Sequence, residues 1–253
     1  MVAAVAGLLA VAAGRGWGAL WTVAAVGAGQ LAVGWSNDWL DRDRDMARGR
    51  TDKPLAVGLV RPATVRNAAG LALLACVPLS FVSGAASAVT HLTAVGSALA
   101  YNAGLKRTPL SAVPYAISFG LGPAVVTLGP PLHRWPHAWV MIAGALIGVG
   151  GHFTQVLVDI PRDRLEGIRG LPQLMGQRAS ALAAALLLLT AIVLEAFAPG
   201  PRPITLAALL LAAVGAAGIV TSALTGRTDL AFRLTLGVAV IAVIALLLSG
   251  RGL

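Results

Sequence analysis

Two short acidic stretches hold most of the residues in this sequence that could do chemistry. The first reads Asn37-Asp38-Trp39-Leu40-Asp41-Arg42-Asp43-Arg44-Asp45, and the second Asp159-Ile160-Pro161-Arg162-Asp163-Arg164-Leu165-Glu166. On a helix, Asp38, Asp41 and Asp45 fall at i, i+3 and i+7, which is one face. Asp159 and Asp163 are one turn apart, as are Asn37 and Asp41. Carboxylates crowded on one face repel each other unless a cation lies among them. Oxygen-only donors suit a hard cation, and Mg²⁺ takes a few carboxylates together with waters and a substrate phosphate. Each stretch is followed by a short basic run containing proline, Arg50-Thr51-Asp52-Lys53-Pro54 and Arg169-Gly170-Leu171-Pro172. The plainer reading is a pair of polar helix ends neutralised by their own arginines. The recurrence of one arrangement in two places favours metals that bridge a diphosphate. Both motifs are expected at exposed helix ends, outside the packing.

Other candidates are fewer. His152 precedes Gln155 by three residues and Asp159 by seven, so one continuous helix would put the three on one side. An ionisable residue inside a membrane span is a functional candidate. His152 could serve an acceptor's hydrogen bond or proton, or be an interhelical tie. The aromatic pairs Trp35/Trp39 and Tyr115/Phe119 have i, i+4 spacing. They read first as packing or interface anchors and second as faces for a cation. The four histidines show no HExxH spacing, and the single cysteine, Cys76, leaves no intrachain disulfide or multi-cysteine zinc site.

The elements that must position these residues are apolar helices. Of 253 residues, 57% are hydrophobic and 11% charged, against roughly 25% charged in a soluble domain. Mean hydropathy is +0.82. Lipid must therefore be the solvent for most of the surface. Pro and Gly breaks divide the chain into nine expected helices, at 2–14, 17–40, 64–84, 86–104, 109–129, 137–160, 178–198, 203–225 and 229–249. The expectation is one domain over 1–253, an all-α transmembrane bundle of nine helices. Its first helix is short for a full span. Residues 1–14 lack the basic start of a signal peptide.

The net charge of +9 is distributed as a topology signal, not as a nucleic-acid surface, and no nucleic-acid partner is expected. With the N-terminus cytoplasmic, fifteen of the nineteen Lys and Arg fall in loops after even-numbered helices. Only Arg15, Arg134, Arg202 and Arg251 fall on the other side. The positive-inside rule selects that orientation, a multi-pass protein of the cell membrane with both acidic motifs at the cytoplasmic mouth.

The motifs NDxxDxxxD and DxxxD, with Tyr101-Asn102-Ala103-Gly104-Leu105-Lys106-Arg107 between them, resemble three signatures of the UbiA-type intramembrane prenyltransferase superfamily. The resemblance extends over nearly the whole chain. It implies Mg²⁺ held by Asp38, Asp41, Asp45, Asp159 and Asp163. It implies diphosphate contacts from Lys106, Arg50, Lys53 and Arg162, with Asn37 and Tyr101 in the substrate site. The activity implied is transfer of a prenyl group from a prenyl diphosphate to an aromatic or other lipophilic acceptor. Asp41, Asp159, Lys106 and His152 are the expected catalytic residues, and Gln155 an acceptor contact. Gly167 stands where some relatives carry a third Asp, which implies a leaner second metal set. Two other readings are a membrane terpene cyclase, for which 5% aromatic residues is sparse, and a cation transporter. Transporters place their ionisable groups near mid-membrane, unlike these helix-end acids.

Overall fold

A computed structural model describes residues 1–250. It is helical, with no strand among those residues. Among the described residues there are twelve α-helices: α1 (Val2–Ala12), α2 (Gly18–Leu40), α3 (Arg42–Ala47), α4 (Pro62–Phe81), α5 (Ala85–Ala103), α6 (Val113–Thr127), α7 (Ala138–Gln155), α8 (Ile160–Leu165), α9 (Leu171–Met175), α10 (Gln177–Phe197), α11 (Pro203–Leu224) and α12 (Thr228–Ser249). The expected count of nine is thus corrected to twelve. The nine expected segments appear as α1, α2, α4, α5, α6, α7, α10, α11 and α12. The three additional helices have five or six residues each and lie in the polar connections. Six segments are long and apolar enough to cross a membrane: Gly18–Leu40, Pro62–Phe81, Pro109–Thr127, Gln177–Phe197, Pro203–Leu224 and Thr228–Ser249. Arg251, counted above with the outward charges, lies outside the described residues.

The chain divides into two compact units, one of residues 1–104 and 125–134, the other of residues 105–124 and 135–253. In the first, α2 packs against α1, α4 and α5. Small residues let the backbones approach. A Cβ on Gly29 would lie 2.9 Å from Val95 Cγ2 and 3.4 Å from Cys76 Sγ. Ser80 Oγ donates to the Cys76 carbonyl at 2.7 Å and lies 2.8 Å from His91 Nδ1, a buried polar link between α4 and α5.

In the first unit Arg15 lies in the connection between α1 and α2, as expected, but it is buried there. Its side chain is 8% exposed. Its guanidinium donates to Ser83 Oγ at 2.6 Å and to the Val126 carbonyl at 3.3 Å, while its backbone N–H donates to the Ala10 carbonyl. Arg15 therefore stands at the C-terminal ends of α1 and α6 and just beyond that of α4, where unsatisfied carbonyls attract a cation. Gly129 packs flat on the guanidinium, since a Cβ there would meet Arg15 Nη2 at 2.6 Å.

In the second unit α10 packs against α7, α11 and α12. The buried stripe of α11 is Ala208, Ala212, Ala216 and Ile219, at near four-residue spacing, and that of α12 includes Ala231, Thr235, Val238, Ala242 and Ala245. Such stripes let helices close up in lipid, where packing drives association. Leu157, Ile160, Leu188, Ile192, Ile219 and Val238 form one core cluster. Glu195 is also buried on α10, and its Oε1 makes no hydrogen bond.

Candidate active site

The first acidic motif forms where α2 gives way to α3. Asp41 occupies the junction, yet helical hydrogen bonding runs through it. Asp41 N–H donates to the Asn37 carbonyl at 2.9 Å and Asp45 N–H to the Asp41 carbonyl at 2.8 Å. The three carboxylates therefore keep the single face expected from their spacing. Their burial was not expected. Asp41 and Asp45 are each 3% exposed, so the expectation of an exposed helix end is corrected for both. Arg44 Nη2 pairs with Asp41 Oδ2 at 2.9 Å. Lys53, from the turn after α3, places Nζ 2.9 Å from Asp38 Oδ1 and 2.8 Å from Asp45 Oδ2. Burial pulls the Lys53 ammonium down, and the hydrogen bonds it donates to Asp45 and Asp38 outweigh that, so its proton is held more tightly than usual. Arg50 makes a bidentate pair with Asp52, at 2.8 and 2.7 Å, and holds that exposed carboxyl at about 2.

The second motif departs more from expectation. The helix predicted over 137–160 ends at Gln155, and a turn over 156–159 precedes α8. Pro161 sits in the first turn of α8, where its missing N–H costs nothing. Asp159 is the residue before that helix, and Asp163 N–H donates to its carbonyl at 2.8 Å, so the one-turn spacing survives. Asp163 is buried, and Gln173 Nε2 donates to its Oδ2 at 2.8 Å. Arg164 reaches the same short helix, donating to the carbonyls of Gln173 and Leu174. Arg162 pairs with Glu166 at 3.2 Å. A Cβ on Gly170 would collide with Gln173 Oε1 and lie 2.9 Å from the Lys106 carbonyl oxygen. The turn carrying Lys106 is thereby seated on the stretch that follows the motif. Lys106 itself is buried, and the Arg169 N–H donates to the Arg107 carbonyl.

The break after Gln155 also removes the continuous helix expected to join His152 to Asp159. His152 instead lies against Tyr115 of α6, ring centroids 4.4 Å apart, and its Nε2 is 3.2 Å from Ser111 Oγ. Ser111 in turn accepts from the Leu171 N–H at 3.0 Å. Tyr115 Oη donates to Gln155 Oε1 at 3.1 Å. Gly148 and Gly144, one and two turns along α7 from His152, have Phe119 directly against them. A Cβ on either would sit 2.6 Å from Phe119 atoms. Tyr115 and Phe119 thus pack α6 on α7, as the plainer reading of that pair expected.

A family model of the UbiA prenyltransferase family matches residues 1–232. The chain belongs to that family. No curated protein matches it. Among solved structures, it is similar to the apo structure of a UbiA homolog from Aeropyrum pernix K1, with TM-score 0.80 and 22% identity over 98% of this chain and 97% of that one. It is also similar to a UbiA homolog from Archaeoglobus fulgidus bound to GPP and Mg²⁺, with TM-score 0.64 and 15% identity over 99% of this chain and 87% of that one. A third likeness is to a digeranylgeranylglyceryl phosphate synthase, with TM-score 0.69 and 14% identity over 99% of this chain and 93% of that one. At these identities the likeness shows the UbiA fold.

Within this UbiA-family chain, the first unit brings Asp38, Asp45 and Lys53 together, and Asp41 with Arg44. The second brings Asp163 close to the Lys106 turn through Gln173 and Gly170. Among the described residues, no group of three His, Cys, Asp or Glu side chains stands close enough to hold a metal by itself. The donor chemistry nevertheless fits a hard cation. Two carboxylates of the first motif already converge on a positive charge, that of Lys53, and all the candidates are oxygen ligands. Gln173 and Ser111 were missed from sequence. Gln173 sits in a five-residue helix with no period to mark its face. Ser111 is a small residue whose burial depends entirely on tertiary packing.

Proposed function

We propose that this chain transfers a prenyl group from a prenyl diphosphate to an aromatic or other lipophilic acceptor within the membrane, as one domain over residues 1–253 and with Mg²⁺. The observation that carries this reading is the convergence of Asp38 and Asp45 on the Lys53 ammonium, with Asp159 and Asp163 forming a second one-turn pair of carboxylates. Mg²⁺, when bound, neutralises charge developing on the diphosphate and acts as a Lewis acid. Asp38, Asp41, Asp45, Asp159 and Asp163 would hold it. Lys106, with Arg50, Lys53 and Arg162, offers fixed positive charge to the diphosphate oxygens, and Asn37 and Tyr101 line the same substrate. The allylic carbon–oxygen bond breaks with its electron pair leaving on the diphosphate. A bond to the acceptor then forms, and the acceptor loses a proton. Apolar helices keep water from the allylic cation in the interval. Gln155 is proposed to present its amide nitrogen to the acceptor. The fifteen-to-four division of basic residues supports a cytoplasmic N-terminus and cytoplasmic motifs.

The test is purified protein with Mg²⁺ and a panel of prenyl diphosphates, with and without membrane extract, following diphosphate release and lipid products. Acceptor-dependent release supports transfer. A cyclic product formed without acceptor means a cyclase, and full activity in EDTA ends the metal proposal.

His152 we read as a tie, because it is buried with its Nε2 at Ser111 Oγ and its ring stacked on Tyr115. His152→Ala is expected to lower stability in detergent by about 0.6–2 kcal/mol, leaving acceptor affinity of the folded enzyme little changed. Weakened acceptor affinity at an unchanged melting temperature would return His152 to the acceptor site.

A further inference from the structure

Lys53 does more than stand near the first motif. Its ammonium contacts one oxygen of Asp38 and one of Asp45 at ordinary ion-pair distances, and Asp45 is almost wholly buried. Two carboxylates held this close on one face need a positive charge among them. The turn that delivers Lys53 is itself fixed. The Lys53 carbonyl accepts from the Ala56 and Val57 N–H groups at 3.0 and 3.2 Å, and the Pro54 carbonyl accepts from Leu59 N–H at 2.9 Å. What remains mobile is the four-carbon stem, which can swing a compact point charge without moving the backbone.

We propose that Lys53 is a tethered cation that fills the first acidic motif until metal and diphosphate arrive together, and that it then passes its ammonium to the diphosphate. The inference rests on the metal and diphosphate reading proposed above, and it adds a coupling between the two ligands. A divalent ion seated between Asp38 and Asp45 would stand close beside the ammonium, and the two like charges repel. A metal arriving alone must therefore break two ion pairs and leave Lys53 with only water. A metal arriving with diphosphate gives the released ammonium a new anion. Lys53 thus makes metal binding weak by itself and strong with diphosphate. By linkage, the diphosphate gains from the metal by the same factor.

The coupling is measurable without turnover. Mn²⁺ binding to the full chain in detergent is followed by electron paramagnetic resonance, with and without inorganic pyrophosphate. In the wild type, pyrophosphate is expected to tighten Mn²⁺ binding by on the order of tenfold or more. In Lys53→Met, Mn²⁺ alone is expected to bind roughly tenfold tighter than in wild type, and the enhancement by pyrophosphate should shrink by about the same factor. Lys53→Gln, which keeps a hydrogen-bond donor but no charge, gives the same pattern and covers the case in which the methionine variant does not fold. Mn²⁺ affinity that is unchanged or weakened in the folded Lys53 variants overturns the proposal. Asp45→Asn separates this from the broader reading. Mn²⁺ binding that depends on Asp45 but not on Lys53 sinks the coupling alone, whereas binding indifferent to Asp45 sinks the metal site with it.

Discussion

Asp38→Asn and Asp159→Asn are each expected to lower prenyl transfer by about 100- to 1,000-fold, the scale on which removing one electrostatic partner of a transition state is felt. Both substitutions keep side-chain volume and remove a charge. Both residues are half-buried rather than packed in the core, so the melting temperature should move by only a few degrees. Diphosphate release at saturating Mg²⁺, with a melting curve on the same sample, checks both halves. Activity within threefold of wild type in either variant would remove that residue from the metal set. Asp41 makes a poorer probe than its place in the motif suggests. It is 3% exposed and paired with Arg44, and Asp41→Ala would leave that arginine without its carboxylate. Lost activity there would mix chemistry with misfolding.

The largest stability effect is expected far from the acids, at Arg15. Arg15→Met keeps most of the aliphatic stem but leaves Ser83 Oγ and the Val126 carbonyl without their donor. It also withdraws the positive charge from the ends of α1 and α6. Hydrogen bonds from a charged group contribute roughly 1.5–3 kcal/mol each, so a loss of about 2–4 kcal/mol is expected in reversible unfolding in detergent. Arg15→Lys should fall between, because one ammonium cannot span both acceptors. A methionine variant as stable as wild type would show that the helix ends do not need this cation.

These two expectations differ in how far the sequence anticipates them. Apolar runs bounded by Gly and Pro placed the nine longer helices to within a few residues, because lipid demands a continuous hydrophobic stretch and punishes anything else. The spacing of Asp38, Asp41 and Asp45 likewise survived, since backbone hydrogen bonds carry the helical period through the α2–α3 junction. The short helices α3, α8 and α9 were not legible. A helix of five or six polar residues has no period to detect. Arg15 looked like a loop charge between two glycines, and only the convergence of distant helix ends buries it. Gln173 was invisible for the same reason, since its role is fixed by Asp163, ten residues away in another short helix.

The turn after Gln155 has a consequence for how the protein meets membranes of different thickness. Spanning helices answer a mismatch with the hydrocarbon layer by tilting, and an acidic motif rigidly continuous with α7 would tilt with it. Here Asp163 is instead cross-linked to Gln173, and Arg164 to the carbonyls of Gln173 and Leu174. Those links close a small hairpin of α8 and α9 upon itself. Its internal distances do not depend on the angle of α7, so the Asp163 end of the second motif is expected to keep its geometry in thin and thick bilayers alike.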